Sequence, residues 1–538
     1  PTRSSWITGM HAISNGTQPM RSGFEIPESI SFYNELLQDA GYYTSNCSKT
    51  DYNLRGPKGR NPKEYWNYSG GDYAGTWKKR KQDQPFFTVY NIGDSHESRA
   101  FGDHKDESVD PQKMILAPYH PDLPEMRNTY AKYSSAISKM DSLVGQAVEN
   151  LKNDNLYEDT IVVYNSDHGG VLARSKRFLY SSGIHCPLIV RIPEKWKHLY
   201  PEGKKPGSTI DRVVSFIDMP KTWLSLTGAK VTENFQGRIF LGPDTEPEPR
   251  YHFSWRERAD ERFDNVRVVR DEQFAYHKNY APFAPNGQYL AYMHNMKATG
   301  AWEKHHQAGK TNKITGRFFE PRPSEEFYDN FKDFHNIDNR IEDPLHQSKI
   351  EELKKELRRQ QLKYFDSGLM PEEMRKRITS EKKTTVYAFV RDPKLYPLAK
   401  YLDYADLALT RKKKNLSTLT QGLLDSDPVM RYWSVIGLLL LEKKAKSAIP
   451  ELKNVLGDRD EIPAFAAWAI YKAGEKAFAE KWMLEAITHN PGNKTLANIF
   501  DWMGKESFSI LAQIPEDKLS KRGLLKDVVN RYKTRVLH

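Results

Sequence analysis

The sequence predicts an α/β protein: a mostly parallel sheet sandwiched by helices, then a small antiparallel subdomain, then an all-α solenoid. Three observations carry this. Up to about residue 240, apolar runs of strand length alternate with helical patterns, the order that gives a parallel sheet covered on both faces. Residues 250–340 change to short paired strands. From about residue 400 strand signals vanish, and Ala/Ile/Leu helices recur after Asp-rich turns.

In chain order, "SISFYNELLQDAGYYT" reads as a helix ending near Gly41. "FFTVYNIG" (86–93) is a continuous apolar run of the kind buried parallel strands show. A long helix is expected over 124–153, with Met126, Tyr130, Tyr133, Ile137 and Met140 at helical spacing. "TIVVYNSDHGG" and "CPLIVRIP" read as two further buried strands. "RVVRDEQFAYHKNY" looks like a hairpin, and "EEFYDNFKDFHN" like a strand and turn closing the smaller subdomain. "SKIEELKKELRRQQLKYF" has few apolar anchors and reads as a solvated helical connector. Beyond it, "DSDPVMRYWSVIGLLLL" and "DRDEIPAFAAWAIYKAG" are similar units. Asp-Pro, then Arg431 and an apolar helix, resembles the HEAT-type repeat, whose faces are buried only by stacking. The expected domains are therefore an α/β core at 1–245, its C-terminal subdomain at 246–345, a helical connector at 346–400 and a HEAT-like helical region at 401–538.

Of 538 residues, 38% are hydrophobic and 28% charged, a globular balance. No stretch approaches the roughly 20 apolar residues that span a bilayer, so no membrane partner is expected. The net charge of +11 favours anionic partners. Helix-turn-helix, zinc-finger and RNA-binding signatures are missing, which leaves a sulfated or carboxylated polysaccharide ahead of nucleic acid. The 29 Tyr and 11 Trp suit either large cores or sugar-binding surfaces. Cys47 and Cys186 set no disulfide framework and do not disclose the compartment.

Polar clusters follow the predicted strands, where open α/β sheets place their ligands. "FFTVYNIG" runs into Asp94, Ser95 and His96; "TIVVYNS" runs into Asp167, His168 and two glycines; "ARSKRF" presents Lys176. Asp167 and His168 pair an anionic oxygen with an imidazole, which suits a divalent metal. Lys49, His96 and Lys176 offer positive charge to an anion, and His96 can release a proton near neutrality. Such equipment hydrolyses phosphate or sulfate esters. In "SWRERADERFDNVR", Arg256, Arg258 and Arg262 read as grips for substrate carboxylates or sulfates, or as surface salt bridges. His104 is placed at the substrate pocket.

Pro1-Thr2-Arg3, four residues, then Thr8-Gly9 is similar to the signature of the type I sulfatases of the alkaline phosphatase superfamily, which reads Cys-or-Ser, any residue, Pro, Ser-or-Thr, Arg, four residues, Thr-Gly. "GYYTSNCSKTDYN", "GDSHESR", "NSDHGG" and "SKRFLYSSGIHCPLIVRIP" resemble the family in the same order, over about residues 1–345. The resemblance implies an alkaline phosphatase-like core and a nucleophile two residues before Pro1. That Cys or Ser, oxidised to formylglycine, lies outside this sequence, and neither Cys47 nor Cys186 is followed by Pro-x-Arg. It implies Arg3 as the group that positions formylglycine, Lys49 and Lys176 as sulfate-binding lysines, His96 as the acid for the leaving oxygen, and Asp167 and His168 as metal ligands. The metal is expected to be calcium, with magnesium as the alternative, completed by two aspartates upstream. Asp51 stands where the family often has His, and His185 where many relatives carry Arg. The implied function is sulfatase action on a sulfated polysaccharide such as ulvan or a heparin-like glycan, in a periplasmic or secreted protein. A phosphatase or phosphonate hydrolase of the superfamily, and a non-catalytic glycan-binding homologue, remain alternatives. The helical region is expected to serve as a protein-partner or oligomer contact.

Overall fold

The computed structural model describes residues 1–520 and 523–536. Helix α1 (Thr2–Thr8) opens the chain and stops at Gly9, whose N–H returns to Ser5 O at 2.8 Å. Gly9 sits at φ 64°, and a Cβ there would lie 2.0 Å from the Phe235 ring, so this left-handed cap requires glycine. Helix α2 (Tyr33–Asp39) ends just before Gly41, as its sequence predicts. Ile7, Phe32, Leu36, Leu37 and Phe235 form a buried cluster between these helices and α5 (Asp218–Leu226).

Strand β1 (Phe24–Glu25) pairs in parallel with β3 (Leu54–Arg55). Strand β2 (Tyr43–Cys47) is central in a parallel sheet, between β4 (Tyr68–Ser69) and β5 (Phe86–Tyr90). Helix α3 (Pro124–Asn153) buries Met126 and Met140, half-buries Tyr130 and Tyr133, and leaves Ile137 41% exposed, against the expected apolar stripe. Strand β6 (Val162–Asn165) was expected to continue the parallel sheet. Instead it pairs antiparallel with β7 (Leu188–Arg191), Val162 opposite Arg191 and Asn165 opposite Leu188. The cause is the connection. Residues 166–187, with the short helix α4 (Ser181–Ile184), fold back as a long hairpin, held by Gly169 N–H to Gly183 O at 2.8 Å and Gly170 N–H to Ser182 O at 3.1 Å. A continuous apolar run does not encode strand direction. β5 and β6 are also half-buried rather than fully buried, and β7 leaves Ile189 63% exposed; β5 pairs with β2 on one side and β6 and β7 pair with each other.

The smaller sheet is antiparallel, in the order β11-β10-β9-β8, from β8 (His252–Arg256), β9 (Val266–Arg270), β10 (Phe274–Asn279) and β11 (Glu325–Asp329). The predicted hairpin is β9–β10, with Ala275 opposite Arg270. Between β10 and β11 lie α6 (Ala291–His294), α7 (Lys297–Gln307) and α8 (Lys313–Gly316). Trp302 on α7 is fully buried and stacked on Phe318 at 4.7 Å.

All described elements after β11 are helical. Helix α9 (Gln347–Lys363) is not the solvated connector expected: Ile350, Leu353 and Leu357 are buried against Phe253, Val269, Tyr276 and Phe327 of the sheet. Three anchors spaced by three and four residues suffice to dock one face. Then come α10 (Glu372–Glu381), α11 (Val386–Phe389), α12 (Leu398–Leu409), α13 (Leu416–Gly422), α14 (Pro428–Leu441), α15 (Ile449–Asn454) and α16 (Ile462–Ala473). The chain finishes with α17 (Lys476–His489), α18 (Lys494–Met503), α19 (Phe508–Leu511) and α20 (Leu524–Val536). Helix α14 packs between α12 and α16, and both α14 and α16 are buried nearly all round.

Candidate functional site

Three strand ends converge on Arg3. Its Nη2 donates to Lys49 O at 2.7 Å, beyond β2, and to Asn91 Oδ1 at 2.6 Å, beyond β5. Nε donates to Thr50 O at 2.9 Å, and Nη1 reaches Asp167 Oδ2, beyond β6, at 3.5 Å. Asn91 is itself fixed by donating to Asn46 Oδ1 at 2.7 Å and to Cys47 O at 3.0 Å. A single guanidinium thus sets the mutual position of α1 and the three loops that carry the candidate side chains. Its fork shape makes arginine suited to this.

Asp167 accepts from Lys49 Nζ at 3.4 Å as well as from Arg3. Burial opposes its ionisation, but His168, Lys49, Arg3 and Lys176 hold the carboxyl well below the usual carboxylate range. The other oxygen, Oδ1, faces His168 Nε2 at 3.5 Å. His168 Nδ1 lies 2.7 Å from Gly169 O, which only an N–H can satisfy, so the neutral ring leaves a lone pair on Nε2. Burial keeps this ring below its ordinary pKa, against the pull of Asp167. Two lone-pair donors thus face one another without a proton between them. That donor set fits a divalent cation, with the backbone carbonyl orienting the imidazole ligand. Among the described residues no group of three or more His, Cys, Asp or Glu is arranged to hold a metal, so this pair alone would make up only part of a coordination shell.

His96 caps a short turn and accepts from Ser98 N–H at its Nδ1, 3.3 Å away. The proton of the neutral ring therefore sits on Nε2. Burial, then the charges of Lys176 and Lys49, lower its pKa. Lys176 is placed by a tight loop: its N–H returns to Gly170 O at 2.8 Å. Gly169 is required beside it, since a Cβ there would come 2.2 Å from Ser182 O. Lys176 Nζ lies 3.1 Å from Glu97 Oε2, and Arg177 Nη1 lies 2.8 Å from Glu97 Oε1. Arg177 continues to Asp260 at 3.0 Å. Glu97 has no exposed side-chain surface; burial works against its charge, but Arg177 and Lys176 outweigh this and lower its pKa. Burial lowers the Lys176 pKa, with Glu97 opposing. Glu97, Arg177, Asn91 and Asp260 escaped the sequence reading. The signal was an acid directly after His96 and a second cation directly after Lys176.

Arg3, Lys49, His96, Asp167, His168, Lys176, His185, Arg256 and Arg258 all border one cavity of about 1370 Å³. His185 is exposed there, its ring 5.8 Å from Phe334. His104 does not border it; its Nε2 bonds Val109 O in its own loop at 2.8 Å. The arginines differ from the expected grips. Arg256 is buried against Asp264 at 3.0 Å and over the Phe178 ring at 4.4 Å. Arg258 is held by both Glu372 oxygens, at 2.6 and 3.0 Å, and by Met20 O and Asp260 O. Arg262 is buried against Asp501 at 3.2 Å. Their acids lie in the same stretch or on distant helices, and a guanidinium so engaged has few donors left for a substrate.

The sulfatase family model matches residues 1–229. The chain is 32% identical over 423 residues to the ulvan-active sulfatase of Formosa agariphila, covering 69% of this chain and 68% of that one. It is 30% identical over 131 residues to an N-acetylglucosamine-6-O-sulfatase of Bacteroides thetaiotaomicron, covering 24% of this chain and 22% of that one. A solved structure of a protein in complex with D-glucosamine-2-N,6-O-disulfate aligns with a TM-score of 0.47 at 16% identity, over 68% of this chain and 88% of that one. The identity sustained over more than two thirds of both chains places this protein in the sulfatase family, whose members hydrolyse sulfuric esters.

Proposed function

We propose that this protein removes sulfate from a sulfated polysaccharide of the ulvan or heparin-like class, in the periplasm or outside the cell, where such a polymer is met. The observation that carries this is the ring of Arg3, Lys49 and Lys176 round the Asp167–His168 pair, with His96 beside it, on the wall of one cavity. The ulvan-active relative supports the substrate class.

The family is generally dependent on formylglycine and a divalent metal. A formylglycine at the place the family pattern gives it, two residues before Pro1, would supply the attacking oxygen. Calcium or magnesium, held by Asp167 and His168 with upstream carboxylates, supplies Lewis-acid polarisation of the sulfate when bound. Arg3 fixes the entry of the nucleophile-bearing segment and balances charge beside it. Lys49 and Lys176 bind the sulfate oxygens as point charges. His96 presents its Nε2 proton toward the leaving sugar oxygen. His185 faces the outer cavity, where it meets the saccharide. We read residues 401–538 as a HEAT-like helical region beside this unit.

Inorganic sulfate release from a panel of sulfated oligosaccharides, by protein carrying the converted upstream residue, tests the reading. We expect calcium-dependent release and a loss of about 10²–10⁴ in kcat for His96→Ala. Turnover of phosphate or phosphonate monoesters in place of sulfate would overturn it.

A further inference from the structure

The helical region carries a concentration of charge that the sulfatase site does not use. The chain runs up α12, across residues 411–415, down α13 and up α14, which brings that first turn and the turn at 442–448 to the same end. Helix α13 packs on the second turn, and the Glu442 carboxylate acts on Arg411 across the two. Arg411, Lys412, Lys413, Lys414, Lys443, Lys444 and Lys446 stand there, all exposed. Glu442 is the sole acid within either turn. Among the described residues, no acid pairs with any of these lysines.

The neighbouring turn at this end is built differently. After α16, Lys472 and Lys476 reach Glu506 at 3.2 and 3.4 Å, and Lys453 reaches Glu475 at 2.5 Å. Positive charge is therefore neutralised internally at one turn and left uncompensated at the two adjoining ones. These two are rigid platforms, since Leu441, Ala445, Ala448 and Leu419 beneath them are buried. The end of α12 is tied to the small sheet by Ser324 Oγ donating to Leu409 O at 3.1 Å. A fixed cluster of like charges repels itself and gains when a polyanion displaces its counterions.

We propose that this face is a second binding surface for the anionic polysaccharide, remote from the cavity in sequence and sharing no residue with it. The proposal rests on the polysaccharide reading above. A polymer held there raises the local concentration of its own sulfate esters at the cavity, as any second attachment point does. No sugar-specific pocket is needed, because spaced negative charge is what the lysines recognise.

The test uses the full chain and the variant Lys412→Glu/Lys414→Glu/Lys443→Glu/Lys444→Glu, with ulvan, desulfated ulvan and double-stranded DNA as probes in affinity electrophoresis. The alanine version at the same positions guards against unfolding by the added acids, and near-UV circular dichroism checks both. Affinity for ulvan should fall about tenfold or more at low salt, and the slope of log affinity against log salt should shrink by about one per lysine removed. Desulfated ulvan should bind the wild type more weakly. Release of sulfate from ulvan below saturation should drop, with hydrolysis of 4-nitrophenyl sulfate unchanged. Unaltered ulvan affinity in a folded variant overturns the surface. So does loss confined to DNA. Wild-type protein that binds ulvan through these lysines yet releases no sulfate supports the surface and instead sinks the reading of the cavity.

Discussion

Glu97 divides its two oxygens between Lys176 at 3.1 Å and Arg177 at 2.8 Å, with no exposed side-chain surface. It does not border the cavity, so we read it as a positioning residue acting through Lys176. Glu97→Gln removes the larger of the two charges, Glu97 and Asp167, that oppose the burial-driven drop in the Lys176 pKa. Lys176 would then lose its proton at lower pH. We expect kcat/KM to fall about 30-fold, the equivalent of about 2 kcal/mol for breaking a buried charge pair. The alkaline limb of the pH profile should move to lower pH, and Glu97→Asp should restore part of it. An unmoved alkaline limb with reduced activity would mean a merely structural role. At this scale His96, Asp167 and His168 were legible in the sequence because polar clusters come after predicted strands, and Arg3, Lys49 and Lys176 through the family motifs, whereas Glu97 and Asn91 were not. Their partners lie 45 to 88 residues away along the chain, and no local pattern records that. The reverse error arose at Arg256 and Arg258: arginines two apart look like a grip, but their carboxylates are Asp264 and, far along the chain, Glu372.

Between elements, the union of the small sheet with the helices rests on buried charge. Arg267 on β9 donates to both Asp366 oxygens at 2.7 Å and to Glu257 at 2.9 Å, while Arg375 on α10 reaches Glu257 at 2.9 Å. Asp366 also accepts from Gln361 at 2.9 Å and from Gly368 N–H at 2.9 Å. Arg267 and Asp366 have no exposed side-chain surface. Burial opposes the Asp366 charge, but Arg267 outweighs it and lowers the pKa. Asp366→Asn therefore leaves two buried guanidinium groups, Arg267 and Arg375, sharing the single Glu257 carboxylate, and should cost about 3–5 kcal/mol. Urea unfolding checks this; a cost under about 1 kcal/mol would show that water or Glu257 compensates. Elements of this kind explain what the sequence did and did not disclose. The helix spans and the β9–β10 hairpin follow from local periodicity and turn chemistry. The antiparallel direction of β7 depends on a 22-residue return through Gly169 and Gly183, positions 166–187. The docking of α9 depends on an acceptor face made by β8 to β11, which its own charged sequence does not announce.

The molecule as a whole responds to acid through its interior histidines. His277 is buried, stacked on Tyr180 at 5.4 Å, and burial pulls its pKa from 6.5 down to about 4, with Arg270, Arg174 and Arg317 assisting and Glu326 opposing. The folded value is depressed, so below 6.5 the unfolded chain takes up the proton first. The contribution to stability is complete above 6.5 and is lost toward pH 4, at about 1.4 kcal/mol per unit. The difference in stability between wild type and His277→Gln should shrink by that amount as pH falls through this window. A difference independent of pH would contradict it.

Cooperativity is the other property of the whole. One continuous apolar cluster runs from Phe24 through Tyr280 and Phe283 to Trp433, Phe465 and Tyr532. It joins the N-terminal third, the small sheet and the last helix. Polar keys reinforce it: Trp502 Nε1 donates to Gln288 Oε1 at 2.9 Å, and Arg262 bridges to Asp501 at 3.2 Å. The helical region therefore does not hang from a linker; it shares a core with the unit that carries the cavity. A shared interior couples the unfolding of the parts that build it, here beyond the roughly 150 residues to which all-or-none unfolding is usually confined. Calorimetry should give a single transition whose van't Hoff and calorimetric enthalpies agree, and a fragment ending at residue 345 should fail to fold. Removing it would expose Phe283 and Tyr280, which the helices cover. Two resolved transitions, or a soluble and cooperatively folded fragment of residues 1–345, would show that the helices are an independent module resting on a complete catalytic unit.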